Sequence, residues 1–214
     1  MTLLPATKTP EPRDFSQRIA AAVAVAGDRV QVAALLDAAR RVDPSFCTHA
    51  NGVLSLSVRI GNALGMRRPQ LHALGLAAAL HDIGKVTVPP NILAKRGPLD
   101  GSEWAHVRAH PLEGERLLAP HIASREVLEI VRSHHERWDA AGYPDGLVGD
   151  GIPRGARIVA VADAYVAMLE QRPYRAPRSR GFARAELLRE SGRQFDPECV
   201  TAALRVTGGH IRSS

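Results

Sequence analysis

The sequence predicts an all-α protein, a helical bundle with a short helical N-terminal leader. Three observations carry that prediction. Aromatic residues make up 4% of the 214 residues and apolar residues 45%, so the core must be built mainly from Leu, Ala and Val, which favours helices. Apolar residues recur at helical spacing, and no run of alternating apolar and polar residues and no internal repeat interrupts them. Gly and Pro fall where helices of ordinary length would start or stop.

The elements follow in order. Residues 1–15 are rich in Pro and Thr and read as a loose tail. Ile19 to Val25 and Val30 to Val42 are Ala-rich and helix-compatible, separated by Gly27-Asp28. Segment 45–64 carries Val53, Leu54, Leu56, Ile60 and Leu64 at helical spacing and can end on Gly65. Segment 69–84 opens with Pro69 in a first-turn position and closes on Gly84, after which Pro89-Pro90 predicts irregular loop. Segment 100–119 reads as helices broken at Pro111, and 123–138 as one helix. Residues 142–155 are too rich in Gly, Pro and Asp for anything but loop. Helices are expected again over 153–170, 181–191 and 197–206, the last capped by Asp196-Pro197. The expected organisation is a tail and helical leader over 1–44, one domain over 45–206 and a flexible tail over 207–214. The leader is too short for a sensory domain; it either packs on the domain or mediates a homodimer.

Composition narrows the function. The formal charge is +6, and the only lysines are Lys8, Lys85 and Lys95, so the positive charge is almost all Arg. A basic surface suits an anionic partner such as a nucleotide. A nucleic-acid polymer is not favoured, because the arginines are scattered and no recognised binding motif accompanies them. Cys47 and Cys199 form no C-x-x-C pair, which fits reduced thiols in a cytoplasmic protein. No apolar run approaches the roughly 20 residues that span a membrane, and no signal-peptide core is present.

The chemistry rests on histidines in acidic company. Of nine histidines, His81 stands beside Asp82 at the end of an apolar helix, directly before Ile83-Gly84-Lys85. His134-His135 repeats the theme, and Asp163 interrupts an otherwise apolar run. A carboxylate buried in such runs costs several kcal/mol unless it is paired or metal-bound. Imidazoles and carboxylates without thiolates suit borderline-to-hard cations such as iron, manganese, zinc or nickel. An Asp next to a His can use its two oxygens to bridge two metals, an arrangement suited to phosphodiester hydrolysis.

In this order the motifs LHDIGK (80–85), KRGPL (95–99), His110-Pro111, HHERWDAAGYPDGL (134–147), VADAY (161–165), RPYR (172–175) and QFDP (194–197) resemble the HD-GYP family, cyclic di-GMP phosphodiesterases within the HD-domain superfamily of metal-dependent phosphohydrolases. The resemblance covers roughly residues 45–206. It implies an HD-domain helical bundle with two divalent metal ions, iron or manganese, held by His49, His81, Asp82, His110, His134, His135 and Asp163. Asp82 would bridge. His49, His81 and Asp163 would complete one metal; His110, His134 and His135 would complete the other. Asp82 and Lys85 are the implied catalytic residues, with Lys85 on the scissile phosphate. Tyr143 of the GYP loop, Arg172 and Arg175 are implied substrate contacts. The loop is further implied as a contact for a diguanylate cyclase or regulator protein, although Gly-Tyr-Pro is also a plain turn that Tyr143 could simply pack. Glu136, Arg137, Trp138 and Asp139 read as supports for the ligand helix and the loop, and Trp104, His72, His106 and His121 as packing or surface residues.

Several positions depart from the family pattern. Ser45 stands where members with a third metal carry Glu, which favours a dinuclear site. Val166, Met168, Leu169, Glu170 and Gln171 replace the usual continuation after Asp163-Ala164-Tyr165, and Gly52 replaces a common Arg. Val166 and Leu169 cannot hydrogen-bond through their side chains; if those positions support the metal shell or the binding loop, affinity or rate would fall by about 10- to 100-fold. The leading expectation is hydrolysis of cyclic di-GMP to pGpG or GMP. The alternatives are a catalytically weak module that binds cyclic di-GMP or a partner as an effector, and a hydrolase of a hybrid cyclic dinucleotide.

Overall fold

Helix formation follows the capping signals. The computed structural model describes residues 29–171 and 176–208. Ten α-helices lie in them: α1 (Arg29–Val42), α2 (Phe46–Ala63), α3 (Arg68–Leu80), α4 (Pro90–Leu93), α5 (Gly101–Arg108), α6 (His110–Leu118), α7 (Arg125–Ser133), α8 (Arg154–Leu169), α9 (Arg180–Arg189) and α10 (Pro197–Thr207). Among the described residues there is no sheet, only isolated bridges between Asp139 and Val148 and between Ser191 and Phe195. The all-α expectation holds. The expected helix over Ile19 to Val25 and the tail over 1–15 lie outside the described residues, as do Arg172 and Arg175.

The caps are chemical. Asp100 accepts the Ser102 and Glu103 N–H groups at 2.8 and 2.9 Å, and Glu103 returns a bond to the Asp100 N–H at 2.8 Å, a capping box that starts α5. Asp196 accepts the Glu198 N–H at 2.7 Å and starts α10. Pro69, Pro111 and Pro197 each sit in a first turn, where the missing N–H costs nothing. Segment 100–119 is two helices as the sequence suggested, with the break at Ala109, two residues before Pro111. Pro89-Pro90 starts the single turn of α4 rather than an irregular loop.

Packing is organised around α3. From Ala73 to Leu80 every residue of α3 is buried, as expected for a helix that is apolar all round. It packs on α2, α7 and α8, and α10 closes the bundle against α2 and α8. On α7, Val127, Ile130 and Val131 turn inward while Arg125 and Glu129 pair on the outer face. Leu74, Leu80, Ile130 and Ile158 are fully buried, each worth about 2 kcal/mol of transfer free energy. From the leader, α1 buries Leu36 and Ala39 and packs on the turn that follows α3.

Two helices end earlier than their apolar pattern suggests. The α3 helix stops at Leu80 rather than Gly84, and Ile83–Thr87 forms a tighter 3-10 turn. The physical reason is the approach of α6: a Cβ on Gly84 would lie 2.0 Å from the His110 carbonyl oxygen and 2.6 Å from the Gly114 nitrogen. Backbone lies on backbone there, so only glycine fits. The α7 helix stops at Ser133 rather than near residue 138, which leaves His134 and His135 on a turn at its end. Gly84→Ala should force α6 off this turn and destabilise the fold by at least about 1–3 kcal/mol. Urea unfolding measures it, and an unchanged midpoint would contradict the close approach.

Candidate metal centre

Five segments converge on one buried point. The first turn of α2 brings His49, the end of α3 brings His81 and Asp82, the start of α6 brings His110, the turn after α7 brings His134 and His135, and the middle of α8 brings Asp163. Asp82, His110, His134 and His135 offer ligand atoms within 4.8 Å of one another, and so do His49, His81 and Asp82. Asp82 belongs to both groups. Asp163 Oδ1 lies 3.0 Å from His49 Nε2 and joins the second group. All seven residues that the family resemblance implied as ligands are thus brought together.

The backbone sets the tautomer of three imidazoles. The Nδ1–H groups of His81, His110 and His134 donate to the carbonyls of Ala78, Val107 and Val131, three residues earlier, at 2.8, 2.6 and 2.6 Å. Each then carries its lone pair on Nε2 and aims it inward. His49 is different: its Nδ1 lies 2.9 Å from the Glu170 carboxylate.

This geometry leaves buried electron pairs facing each other. His110 Nε2 and His134 Nε2 are 3.2 Å apart, and both are acceptors in the tautomer that the carbonyls impose. Asp82 Oδ1 sits 3.2 Å from His110 Nε2, yet it and His81 Nε2 make no hydrogen bond. Each orphaned buried polar atom costs about 1–3 kcal/mol. A divalent cation would satisfy them together, so the donor set fits a metal.

Charge follows the same logic. Burial works against an ionised Asp82, but the Lys85 ammonium, with Nζ 2.6 Å from Oδ2, holds its carboxyl well below the usual range. Burial likewise opposes charge on Asp163, and its hydrogen bond to His49 more than offsets this and keeps it ionised. Burial and the neighbouring imidazoles keep His134 and His135 neutral, His135 down to about 3. Neutral imidazole is the metal-binding form. Burial would do the same to His49, but Asp163 and Glu170 push it up to about 10 in the metal-free site.

The GYP loop is tied down beside this cluster. Glu136 is buried, and its two carboxylate oxygens accept the N–H groups of Asp145, Gly146 and Leu147 at 2.7, 3.1 and 3.1 Å. Arg132 forks onto Asp145 at 2.7 Å through two nitrogens and reaches Glu115 at 2.6 Å with a third. A Cβ on Gly142 would lie 2.3 Å from the Arg137 nitrogen, so the turn can lie flat on that segment only with glycine. Trp138 and Asp139 give their N–H groups to the carbonyls of Gln194 and Arg193, which is where the bonds of a longer α7 went instead. The Tyr143 ring stacks on His135 with centroids 5.0 Å apart, and Arg108 lies 5.5 Å from that ring and 5.9 Å from Trp104. Burial, with the charge of Asp82, raises the Tyr143 phenol above its ordinary value, so it remains a neutral hydrogen-bond donor.

The positions that depart from the family pattern also gather. Gly52 on α2 faces Val166 on α8, where a Cβ would stand 3.0 Å from Val166 Cγ1. Both line a cleft of about 510 Å³ together with Leu169 and Glu170. Ser45 turns its hydroxyl to Asp43 at 2.7 Å. Lys95 of the KRGPL motif pairs with Glu103 at 2.5 Å and so serves the α5 cap. Sequence reasoning missed Glu170, Arg108 and Arg132 as parts of the site. Only Glu170 had a signal: it follows Asp163 by seven residues, two helical turns, and so shares its face.

The family model for the HD domain matches residues 31–199, and the chain belongs to the HD-domain family. It lies in the HD-GYP branch of that family. The cyclic di-GMP phosphodiesterase response regulator RpfG of Xanthomonas campestris is 41% identical over 150 residues, 68% of this chain and 39% of that protein. The 3'3'-cGAMP-specific phosphodiesterase 2 of Vibrio cholerae is 36% identical over 160 residues, 73% of this chain and 30% of that protein. Among solved structures, an HDG"Y"P protein from Bdellovibrio bacteriovorus superposes with a TM-score of 0.66 at 18% identity over 96% of this chain and 75% of that one, which shows the shared fold. The chain spans well under half the length of these two curated relatives.

Glu136→Gln puts an amide NH₂ where one oxygen must accept a backbone N–H. Hydrogen exchange at Asp145–Leu147 should quicken by tenfold or more, the equivalent of one lost charged hydrogen bond of about 1.5–3 kcal/mol. Unchanged exchange would contradict the tether.

Proposed function

We propose that the protein is a metal-dependent phosphodiesterase that hydrolyses cyclic di-GMP to pGpG or on to GMP, and that it works in the cytoplasm as part of second-messenger signalling. One observation carries the reading: two sets of metal-ligand atoms share Asp82. The sharing favours a dinuclear centre. His49, His81 and Asp163 would hold one ion, His110, His134 and His135 the other, with Asp82 between them. Iron or manganese suits imidazole and carboxylate donors, and the cell's supply chooses between them. The names of the relatives, cyclic di-GMP and cGAMP phosphodiesterases, point to a cyclic dinucleotide as substrate.

Bound there, two divalent ions would lower the pKa of water and withdraw charge from the phosphoryl oxygens. The chain supplies the rest. Asp82 stays ionised, and the bonds from Nδ1–H of His81, His110 and His134 to backbone carbonyls turn Nε2 of each ring toward the centre. Lys85 Nζ, beside Asp82 and part-exposed, is placed to bind a phosphate oxygen of the scissile bond and to offset the charge that develops on it. A water oxygen forms a bond to phosphorus as the bond to the ribose oxygen breaks, and the proton released by the water ends on that leaving oxygen. Tyr143, held by His135 and Arg108, edges the mouth and offers its hydroxyl as a donor. Arg172 and Arg175 complete the proposal as further contacts for phosphate and guanine. We assign a cyclase or regulator partner to the tethered GYP loop.

Two other readings have specific support. The relative named as 3'3'-cGAMP-specific favours a hybrid cyclic dinucleotide as substrate. The altered residues 166–171 favour a module that binds without turnover. Protein purified anaerobically should carry two metal ions per chain and cleave cyclic di-GMP, followed by chromatography. Turnover should vanish in His81→Ala and Asp82→Ala. Faster cleavage of 3'3'-cGAMP would shift the substrate, and full metal loading with tight binding but no product would shift the reading to an effector. A metal-free protein whose Asp82→Ala variant behaves as wild type would overturn it. Lys85→Ala should lower kcat by about 10²–10³-fold with metal content unchanged. An unchanged kcat would remove Lys85 from the mechanism.

A further inference from the structure

His49 is held unlike the other three imidazoles whose ring bonds are defined. His81, His110 and His134 give Nδ1–H to a neutral backbone carbonyl of their own segment. His49 turns Nδ1 to a carboxylate on another element, Glu170, at 2.9 Å. Its other nitrogen lies 3.0 Å from Asp163. Both nitrogens of one buried ring are therefore addressed from α8 and the residue that ends it, by acids seven residues apart. Glu170 can make this reach because the backbone leaves helical geometry at that residue, with φ −86° and ψ 149°.

A carboxylate acceptor does more than a carbonyl. With a metal ion bound it would hold the proton on Nδ1 and leave the lone pair on Nε2, and its negative charge makes that nitrogen a stronger donor. Its hydrogen bond reaches His49, which belongs with His81 and Asp82 to one ligand group, while His110, His134 and His135 belong to the other. The effect of that bond should therefore fall on the His49 group.

Resting on the dinuclear reading above, we propose that Glu170 is a positioning residue that sets the affinity of one half of the metal centre, the half that contains His49, and leaves the other half alone. The residue that replaces the family pattern at this position thereby strengthens the ligand shell. The two faces of the centre would then load in order, with the His49 face dependent on an acid that the other face lacks.

The test is metal stoichiometry and affinity, independent of activity. Metal-free protein is titrated with Mn²⁺ against a chromophoric chelator, for wild type, Glu170→Gln and Glu170→Ala. Glu170→Gln preserves size and can still accept the Nδ1–H, so it folds if any variant does. Wild type should bind two equivalents. Glu170→Ala should weaken one of them by about 10- to 100-fold and leave the other within twofold, with Glu170→Gln in between. If wild type binds two and both variants bind both with wild-type affinity, the proposal falls while the dinuclear reading stands; lower thermal stability alone would then mark an ordinary interhelical pair. If both equivalents weaken together, the one-sided role is wrong. If wild type binds fewer than two, the dinuclear reading fails and takes the proposal with it.

Discussion

An ionised carboxylate at the centre of a helical bundle governs this structure. Asp82 is 4% exposed and lies among histidines from three other segments. An isolated buried carboxylate is costly enough that a protein normally neutralises it. Here the Lys85 ammonium keeps it charged, while one of its oxygens makes no hydrogen bond. Five segments of the bundle are arranged so that each contributes one or two groups to that point. Helix ends do this better than helix middles, since a chain leaving its helix can aim neighbouring side chains in different directions. His81-Asp82 and His134-His135 both sit just past such ends.

The same demand explains the glycines and the acid that flank the cluster. Gly84 lets α6 lie backbone to backbone on the turn after Asp82, which delivers His110 to the site. Gly142 lets the loop return onto residues 136–137, and Glu136 then collects three loop N–H groups. Tyr143 is stacked on a candidate ligand, His135, as a result. The loop and the turn that carries His135 are thus parts of one folding unit, and a disturbance of the loop would be felt at His135.

Much of the fold was legible from periodicity and punctuation. The helix starts at Arg68, Pro197 and Arg154 follow from local chemistry, and local chemistry can be read from a sequence. The early ends of α3 and α7 were not legible, because their causes are distant: α6 against Gly84, and residues 145–147 and 193–194 against Glu136, Trp138 and Asp139. The cluster of seven residues came from family resemblance, since spacing alone would not bring His49 to Asp163. Glu170 and Gly52 read only as departures from the family pattern, and Val166 and Leu169 as the ones that would weaken the shell. In the structure Gly52 and Val166 fit each other and Glu170 supports His49, so the departures form a local set rather than scattered losses. Arg132 gave no signal, because its partner Asp145 lies across the loop.

The central claim is that Asp82 is shared by two cation sites. Anomalous X-ray scattering from crystals grown with Mn²⁺ tests it most directly. The account predicts two peaks about 3.5–4 Å apart, one on each side of Asp82, the first against His49, His81 and Asp163 and the second against His110, His134 and His135. A single peak, or two peaks that do not share Asp82, would contradict it.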